Sequence, residues 1–407
     1  MTPGIRVVLV AARDEEARIG GTVERLRDAF PDAEVVVADD GSRDGTARAA
    51  EGAGAQVVRL PRLGKGQALT LAERELPEGP LLLCDADLEG DLRPLAESRA
   101  DLAVAAFAER RGGGFGVAKL AAQALIRLRC GLIAREPLSG QRRVSERARA
   151  ACFPVAAGFG VETRMTIDAV REGLAVEEIE LPLVHRATVR DARGFLHRGG
   201  QLLQLVLACG PQARNHRGLR LPLVGATVGL AVPEVAVVAA VGLADDLWSG
   251  PQRGFRAHVR GGVTTGTLKA AAIPLWGLWR TRSLSGAVLI GLSANLLNQL
   301  DTRPGRALKA FALGSLLLGR PTRRAFAVAV LIAPYDLREM AMLGDAGANA
   351  LGALLGWKSV ESDTGARRYA AIGVLAALTI LGERRSLGRL IERTPGLREL
   401  DALGRVP

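Results

Sequence analysis

An apolar run at 81–84 ends directly in two carboxylates, Asp85 and Asp87. Such a run predicts a strand buried on both faces. Alternate side chains of an extended chain point to the same side, so the two aspartates can converge on one cation. Hard divalent cations such as Mg²⁺ or Mn²⁺ favour oxygen ligands and often bridge to phosphates. The alternative is an ordinary strand-to-loop transition with two solvated carboxylates.

Residues 1–215 alternate apolar, β-branched runs with helical patterns. The runs at 5–10, 34–38, 56–60 and 81–84 predict strands, with helices between them. This rhythm is typical of a Rossmann-like α/β fold, a mostly parallel sheet with helices on both faces. Ligands of such sheets bind beyond the carboxyl ends of the strands, where the acidic turns fall. We therefore expect one α/β domain over 1–215 with a ligand site at that edge.

Further motifs in this domain suit a nucleotide sugar. Asp39 and Asp40 follow a strand directly, where carboxylates can hold a base and a ribose. Lys65 lies between two glycines at a predicted helix N-terminus, an arrangement that suits phosphate. A metal at Asp85 and Asp87 would neutralise a leaving diphosphate. Each motif alone is commonly a turn or a solvated loop, but their order and spacing together predict a site.

Charge and composition narrow the range of partners. The formal net charge is +11, whereas aromatic residues make up only 4% of the chain. A basic excess favours nucleic acid, an anionic membrane surface or a phosphate-bearing substrate. The sequence contains neither zinc-finger spacing nor an aromatic RNA-binding motif, so nucleic acid is not expected as a partner. The four cysteines form no CxxC pair, which predicts buried, reduced thiols in a cytosolic domain.

The composition changes near residue 220. Leu221–Leu243 is apolar across 23 residues apart from one charge, and shorter apolar runs separated by Arg-rich loops follow. A bilayer-spanning helix needs about 20 residues, so the shorter runs also fit buried core helices. Arg-rich connections are typical of cytoplasmic loops. We expect an all-α membrane domain over 216–383, a basic cytosolic tail over 384–407, and a multi-pass protein of the cell membrane with a cytoplasmic N-terminal domain.

The N-terminal motifs resemble glycosyltransferase family 2, which has a GT-A fold. The resemblance covers about residues 4–200 and rests on VVLVAARDEEARIG, VVVADDGSRDGT, GKGQAL, CDADL, EPLSGQRR, GFGVETRMTIDA and LVHRATVRD. It implies that Ala11, Glu15 and Asp40 contact the nucleotide of a UDP- or GDP-linked sugar. It also implies that Asp85 and Asp87 hold the metal, Mg²⁺ or Mn²⁺, and the diphosphate.

The segment from Glu136 to Arg142 resembles the family's D-x-x-S-G-F-R pattern, which lies at the acceptor end of polyprenyl-phosphate sugar synthases. By that resemblance Glu136 is an acceptor-side base or orienting group. Arg142 would face an acceptor phosphate, which a guanidinium fork suits. The alternative is a buried salt bridge between the two. Gln141 stands where the family has an aromatic residue, which leaves the acceptor class open.

Two more positions follow from the same resemblance. His185 ends a strand-like run and is either structural or, as in related transferases with phosphoglycerate acceptors, a metal ligand beside Asp87. Glu162 matches an acidic family position near the acceptor.

The second half resembles the polyprenyl-phosphate N-acetylhexosamine-1-phosphate transferases, through PLVG, GLADD, NLLNQLD and GDAGANALG. The resemblance implies that Asp245 and Asp246 bind metal or lipid phosphate. Asn298 and Asp301 would lie at the metal and nucleotide, with Asp345 near the same site. The segment is roughly half the family's length and lacks its His-rich loop. Alternatively, therefore, these carboxylates cap short helices and the domain is a platform.

Together these features predict a membrane-anchored, metal-dependent glycosyltransferase of cell-envelope glycan synthesis. It would move a sugar from a nucleotide-sugar donor to a membrane-borne acceptor, above all polyprenyl phosphate, with Lys65 and the metal stabilising the departing diphosphate. One alternative is a bifunctional fusion whose membrane half also transfers a phosphosugar to polyprenyl phosphate. Another is a transferase acting on a small phosphorylated acceptor such as phosphoglycerate, and a third is a non-enzymatic scaffold.

Overall fold

The computed structural model describes residues 4–111, 116–186, 192–248, 265–318, 323–362 and 365–405. The chain divides into two compact units. The α/β unit comprises Met1–Gln212 and Gly218–Arg220, and the helical unit comprises Ala213–Arg217 and Leu221–Pro407. The predicted boundary at residue 215 falls in the short stretch where the chain passes from one unit to the other.

The α/β unit is built on a seven-stranded sheet in the order β3-β2-β1-β4-β6-β5-β7. Its strands are β1 (Val7–Ala12), β2 (Glu34–Asp39), β3 (Gln56–Arg59), β4 (Leu81–Asp85), β5 (Leu102–Arg111), β6 (Arg142–Val144) and β7 (Val176–Arg186). Neighbouring strands are parallel except where β6 pairs with β4 and β5. The prediction of a mostly parallel α/β sheet is therefore confirmed.

Both faces of this sheet are buried in apolar cores. The helices of the unit are α1 (Glu16–Ala29), α2 (Thr46–Gly52), α3 (Lys65–Glu73), α4 (Arg93–Ala96), α5 (Val117–Cys130), α6 (Glu146–Cys152), α7 (Val161–Arg171) and α8 (Ala192–Ala208). Along β1, Val8 and Val10 lie in one core, whereas Val7 and Leu9 lie in the other. Because both faces are covered, the central strands are unbroken apolar runs in the sequence.

The strand order reverses between β1 and β4. From β1 the chain builds outward through β2 to β3, and it then returns to place β4 on the opposite side of β1. Open α/β sheets bind ligands in the crevice at such a reversal, beyond the carboxyl ends of the strands. Ala11 near the end of β1 pairs with Asp85 at the end of β4. The topology therefore places Asp85 at the crevice.

Within its described residues, the helical unit contains ten α-helices. They are α9 (Ala226–Ala231), α10 (Ala236–Trp248), α11 (Thr265–Thr281), α12 (Leu284–Leu300), α13 (Arg306–Leu317), α14 (Arg323–Leu337), α15 (Gly344–Ser362), α16 (Ala366–Arg385), α17 (Leu387–Arg393) and α18 (Leu397–Ala402). Two short strands, β8 (Gln212–Arg214) and β9 (Arg220–Pro222), lie where the chain passes between the units.

The expectation of a multi-pass membrane protein is wrong. Within the described ranges, none of the helices combines the length and the apolar character that crossing a bilayer requires. The longest predicted span, Leu221–Leu243, is divided into α9, a 3₁₀ turn at Pro233–Val235 and α10. Proline lacks the amide hydrogen that would continue the first helix. The 13 residues of α10 rise only about 20 Å, less than the bilayer's apolar core of about 30 Å.

The C-terminal segment is also not the separate basic tail that the sequence predicts. It forms α17 and α18, which belong to the helical unit. Arg306, which is 4% exposed, donates to both carboxylate oxygens of Asp401 at 2.9 and 2.7 Å. This two-bond ion pair anchors α18 to the start of α13.

Candidate active site

Three charged side chains meet at the carboxyl edge of the sheet. Asp85 ends β4, Lys65 begins α3, and Glu162 lies in the first turn of α7. Nζ of Lys65 lies 2.6 Å from Oδ1 of Asp85 and 2.6 Å from Oε1 of Glu162. One lysine thus joins the predicted diphosphate-binding aspartate to a glutamate from a distant part of the chain.

The surroundings of Lys65 keep it charged. Burial disfavours the ammonium form, but the carboxylates of Asp85 and Glu162 outweigh that effect and raise the pKa of Lys65 above its usual value. The Lys65 side chain is 33% exposed, whereas that of Glu162 is 8% exposed. An ammonium group has three N–H donors, and two of them point to these carboxylates. The third can be offered to an anionic ligand.

Two glycines explain why Lys65 reaches this position. Gly64 adopts a φ of +114°, a backbone conformation in which other residues are strained. A Cβ on Gly66 would lie 2.0 Å from the carbonyl oxygen of Ala156. The Gly-Lys-Gly sequence is therefore what allows α3 to begin at Lys65 against the edge of the sheet.

Asp40 organises the loop that precedes α3. Its Oδ1 accepts hydrogen bonds of 2.8 Å from the amides of Leu63 and Gly64, and its Oδ2 pairs with Arg13 at 3.1 Å. Burial raises the pKa of Asp40, while the two amides and Arg13 act in the opposite direction. Asp40 therefore shapes the turn that presents Lys65, a role that the sequence did not indicate. Its contact with the nucleotide stays a prediction.

The other residues predicted to contact the nucleotide lie at the same edge of the sheet. Ala11 is half-buried in β1. Asp39 is 6% exposed and accepts hydrogen bonds from the amide and the hydroxyl of Ser42. The carboxylate of Glu15 pairs with Arg18 at 3.2 Å. The structure brings these positions together, and their nucleotide contacts stay predictions.

The acidic turn after β4 fits a divalent cation that is shared with a phosphate ligand. Asp87 is exposed, so its carboxylate oxygens are accessible, whereas those of the half-buried Asp85 accept from Lys65 and Gln141. Among the described side chains, no three His, Cys, Asp or Glu residues are grouped closely enough to hold an ion. A bound diphosphate would have to supply further oxygens, which is usual for Mg²⁺. His185 lies in β7, but its side chain is outside the described part of the chain, so its role as a metal ligand stays a prediction.

On the predicted acceptor side, Glu136 pairs with a lysine. Nζ of Lys119 in α5 lies 2.9 Å from Oε1 of Glu136, with side chains 21% and 12% exposed. The carboxylate of Glu178 accepts hydrogen bonds of 2.8 Å from the amides of Arg135 and Glu136, which holds this segment in place. Sequence reasoning missed Lys119. Its rarity was the one available signal, because it is one of five lysines in the chain.

The structure contradicts the prediction that Arg142 faces an acceptor phosphate. Arg142 is 1% exposed. Its guanidinium donates to the carbonyl oxygens of Ser139 and Pro137 at 2.8 and 3.3 Å and to Oγ1 of Thr166 at 3.0 Å. The alternative, a salt bridge with Glu136, is not among the contacts of Arg142 with the described residues. Arg142 instead holds the 137–139 loop against α7.

In the helical unit, several of the predicted second-site aspartates lie together, but a lysine lies among them. Nζ of Lys269 in α11 lies 2.7 Å from Oδ2 of Asp245 and also contacts Oδ2 of Asp345. Asp246 accepts hydrogen bonds of 3.0 Å from the amides of Asp345 and Ala346, so it caps the start of α15. The ammonium group lies between two of the carboxylates that a divalent cation would have to bridge. As they stand, these residues do not fit a resident metal ion.

Burial dominates the remaining carboxyls of this cluster. It raises the pKa of Asp301 well above the usual range, and the neighbouring Asp336 and Asp345 add to the effect. Burial likewise raises the pKa of Asp345 to about 7, although Lys269 opposes the shift. Asn298 is half-buried in α12, one turn before Asp301. The alternative of helix-capping carboxylates therefore describes Asp246, whereas the buried Asp245 and the half-buried Asp301 and Asp345 belong to a charge cluster.

Comparison with known proteins supports the glycosyltransferase interpretation of the α/β unit. Residues 7–112 match the family described as Glycosyl transferase family 2. Glycosyltransferase AglJ of Haloferax volcanii is 30% identical over 222 residues, which are 51% of this chain and 72% of that protein.

Solved structures give weaker similarities. One is glucosyl-3-phosphoglycerate synthase from Mycobacterium tuberculosis in complex with Mn²⁺, UDP and phosphoglyceric acid. It is 25% identical, with 51% of this chain and 79% of that chain covered and a TM-score of 0.43. A second, described only as a mycobacterial protein, is 26% identical, with 51% and 73% covered and a TM-score of 0.43.

Proposed function

Because the chain belongs to glycosyltransferase family 2, we propose that its α/β unit transfers a sugar from a UDP- or GDP-linked donor to a phosphate-bearing acceptor. The observation that carries the proposal is the bridge from Lys65 to Asp85 and Glu162. It places a fixed positive charge and a carboxylate at the reversal of strand order, where open α/β sheets bind nucleotides.

At the donor end, the residues stabilise the leaving nucleoside diphosphate. Lys65 offers its third N–H to a phosphate oxygen and stays charged throughout, since the two carboxylates raise its pKa. Asp87, exposed beside Asp85, would hold a Mg²⁺ or Mn²⁺ ion together with the diphosphate. Such an ion supplies Lewis-acid stabilisation of the negative charge. A charge that is preorganised at the leaving group lowers the barrier because it needs no rearrangement during the reaction.

At the acceptor end, Lys119 and Glu136 provide a cation beside a carboxylate. Lys119 supplies the positive charge for an acceptor phosphate that the buried Arg142 cannot supply. Polyprenyl phosphate and a small phosphorylated molecule such as phosphoglycerate share this chemistry. A phosphate oxygen is ionised at neutral pH and attacks without a base. A hydroxyl acceptor needs proton removal, and Glu136 is the carboxylate that we assign to it.

We assign no second phosphosugar transfer to the helical unit. Two of the aspartates on which that alternative depended, Asp245 and Asp345, are paired with Lys269, which lies where a bridging divalent cation would be needed.

The test is transfer of radiolabel from a panel of UDP- and GDP-linked sugars by the purified full chain with Mn²⁺. Polyprenyl phosphate in detergent and phosphoglycerate serve as the two acceptors. We expect label in one acceptor and its loss in Asp87→Asn. Label in the lipid extract assigns the lipid phosphate, and label in an anionic water-soluble product assigns the small acceptor. If neither acceptor is labelled from any donor, the proposed function is wrong.

A further inference from the structure

Gln141, which replaces the family's aromatic residue, turns inward to the donor site. It is 5% exposed, and its Nε2 lies 3.4 Å from Oδ2 of Asp85. On the other side, its Oε1 accepts a hydrogen bond of 3.3 Å from the hydroxyl of Ser139. Since Asp85 only accepts and the Ser139 hydroxyl can donate, the amide has one orientation that satisfies both neighbours.

The backbone of this segment holds the amide in place. β6 runs antiparallel to β4, with Arg142 opposite Leu83. Continuing that register by two residues places Gly140 opposite Asp85. A Cβ on Gly140 would lie 2.2 Å from Oδ2 of Asp85, so any other residue there would displace the carboxylate from its present position. The amide of Ala105 donates to the carbonyl of Gln141 at 3.0 Å, which ties the segment to β5 as well.

We propose that Gln141 is a positioning residue of the donor site, and this inference rests on the proposed function. Its amide donates to Oδ2 of Asp85, so that Lys65 donates only to Oδ1. Without the amide, the carboxylate is free to turn and present both oxygens to the lysine. The N–H that Lys65 offers to the diphosphate is then drawn to Asp85. The phenylalanine of the family pattern has no hydrogen-bond donor with which to hold the carboxylate, whereas the glutamine of this chain has one.

The neutral amide also suits the charge balance. Asp85 and Glu162 share the single ammonium of Lys65. A second lysine at position 141 would compete with Lys65 for the carboxylate of Asp85, and a glutamate there would repel a diphosphate. The neutral amide of glutamine holds Asp85 and does neither. The position therefore favours glutamine over either a lysine or a glutamate.

The test compares Gln141→Met with Gln123→Met. Methionine matches glutamine in length but donates no hydrogen bond. Gln123 also donates from its Nε2, to the carbonyls of Ala134 at 2.9 Å and Arg135 at 3.4 Å, and serves as the control. The readouts are the Kd of UDP and of GDP with Mn²⁺ by titration calorimetry, the donor KM and kcat, and the thermal midpoint.

We expect Gln141→Met to weaken nucleoside-diphosphate binding and raise the donor KM about tenfold, the low end for a hydrogen bond to a charged group, because the bond is long. Gln123→Met should change neither. In an Asp85→Ala background, the Gln141 substitution should change the Kd by less than about twofold, because coupled residues are not additive. The thermal midpoints of the two methionine variants should agree.

Two results would overturn the inference alone: equal Kd values for the two methionine variants, or a full Gln141 effect in the Asp85→Ala background. Either would mean that Gln141 only fills space. If the wild-type chain binds neither UDP nor GDP with Mn²⁺, the proposed function is wrong, and the inference about Gln141, which rests on it, is wrong as well. The wild-type titration therefore separates the two failures.

Discussion

Replacing Lys65 with methionine removes the charge on which the donor site depends while keeping most of the side chain's volume. The substitution breaks two contacts of 2.6 Å and leaves Asp85 and Glu162 without their shared cation. It leaves the turn intact, because the turn is set by the glycines on either side. Losing the shared cation costs less stability here than in a buried cluster, because Lys65 and Asp85 are about one-third exposed and water screens them. The expected loss is therefore mainly catalytic.

The magnitude follows from what the lysine does. Removing one preorganised donor from a developing negative charge typically costs about 100-fold to 1000-fold in kcat. Lys65 is one-third exposed, so water partly replaces it and the lower figure applies, about 100-fold. Lys65→Arg keeps the charge on a larger group and should recover part of the rate.

The assay is the initial rate of nucleoside-diphosphate release at saturating donor. Lys358→Met is the control, since that lysine pairs with Glu361 in the helical unit. A Lys65→Met enzyme whose kcat stays within threefold of the control would refute the assignment of Lys65 to the leaving group. A fall in kcat accompanied by a collapsed thermal midpoint would show a structural role instead.

Three further predictions concern the rest of the chain. Arg142→Met should lower the free energy of unfolding by about 3 kcal/mol, because buried hydrogen bonds are lost, and the thermal midpoint should fall accordingly. The acceptor KM of the folded enzyme should not change, and a rise in that KM without a loss of stability would contradict the structural role of Arg142. Lys269→Met should destabilise the helical unit by about 2–3 kcal/mol, because Asp245 and Asp345 lose their cation. In thermal melts, added Mg²⁺ should restore the stability of the variant and leave that of the wild type unchanged. Burial raises the pKa of Asp345 to about 7 and that of Asp336 to about 6, from 3.8 in the unfolded chain. Protonation of these two carboxyls therefore stabilises the fold fully below about pH 4, and this stabilisation is lost as the pH rises through 6 to 7. Melts between pH 5 and 8 check this, and a pH dependence that is unaltered in Asp345→Asn would count against it.

The sequence alone predicts the sheet, the edge that carries the site and the chemistry of that edge. Unbroken apolar strands, helices between them and acidic turns after them are local patterns, and local patterns determine which elements form. The motif around Lys65 is of the same kind, since both of its glycines are required within a few residues of the lysine. The second half is harder, because an apolar run predicts burial without indicating whether protein or lipid covers it. There, Pro233 divides the predicted span, and the run becomes short helices.

Only the tertiary structure decides which charges pair. Arg142 looks like a phosphate ligand in the sequence, yet the loop at 137–139 and α7 enclose it. Lys119 lies 17 residues from its partner Glu136, and Lys269 lies 76 residues from its partner Asp345. Hydrogen bonds and ion pairs form only between groups a few ångströms apart in space. The hydrophobic periodicity of a sequence predicts local helices and strands, and it does not show which residues of different segments come that close. The sequence therefore predicted where the candidate site lies and which kinds of residue form it, and the fold decided which of its charged side chains are buried and which face solvent.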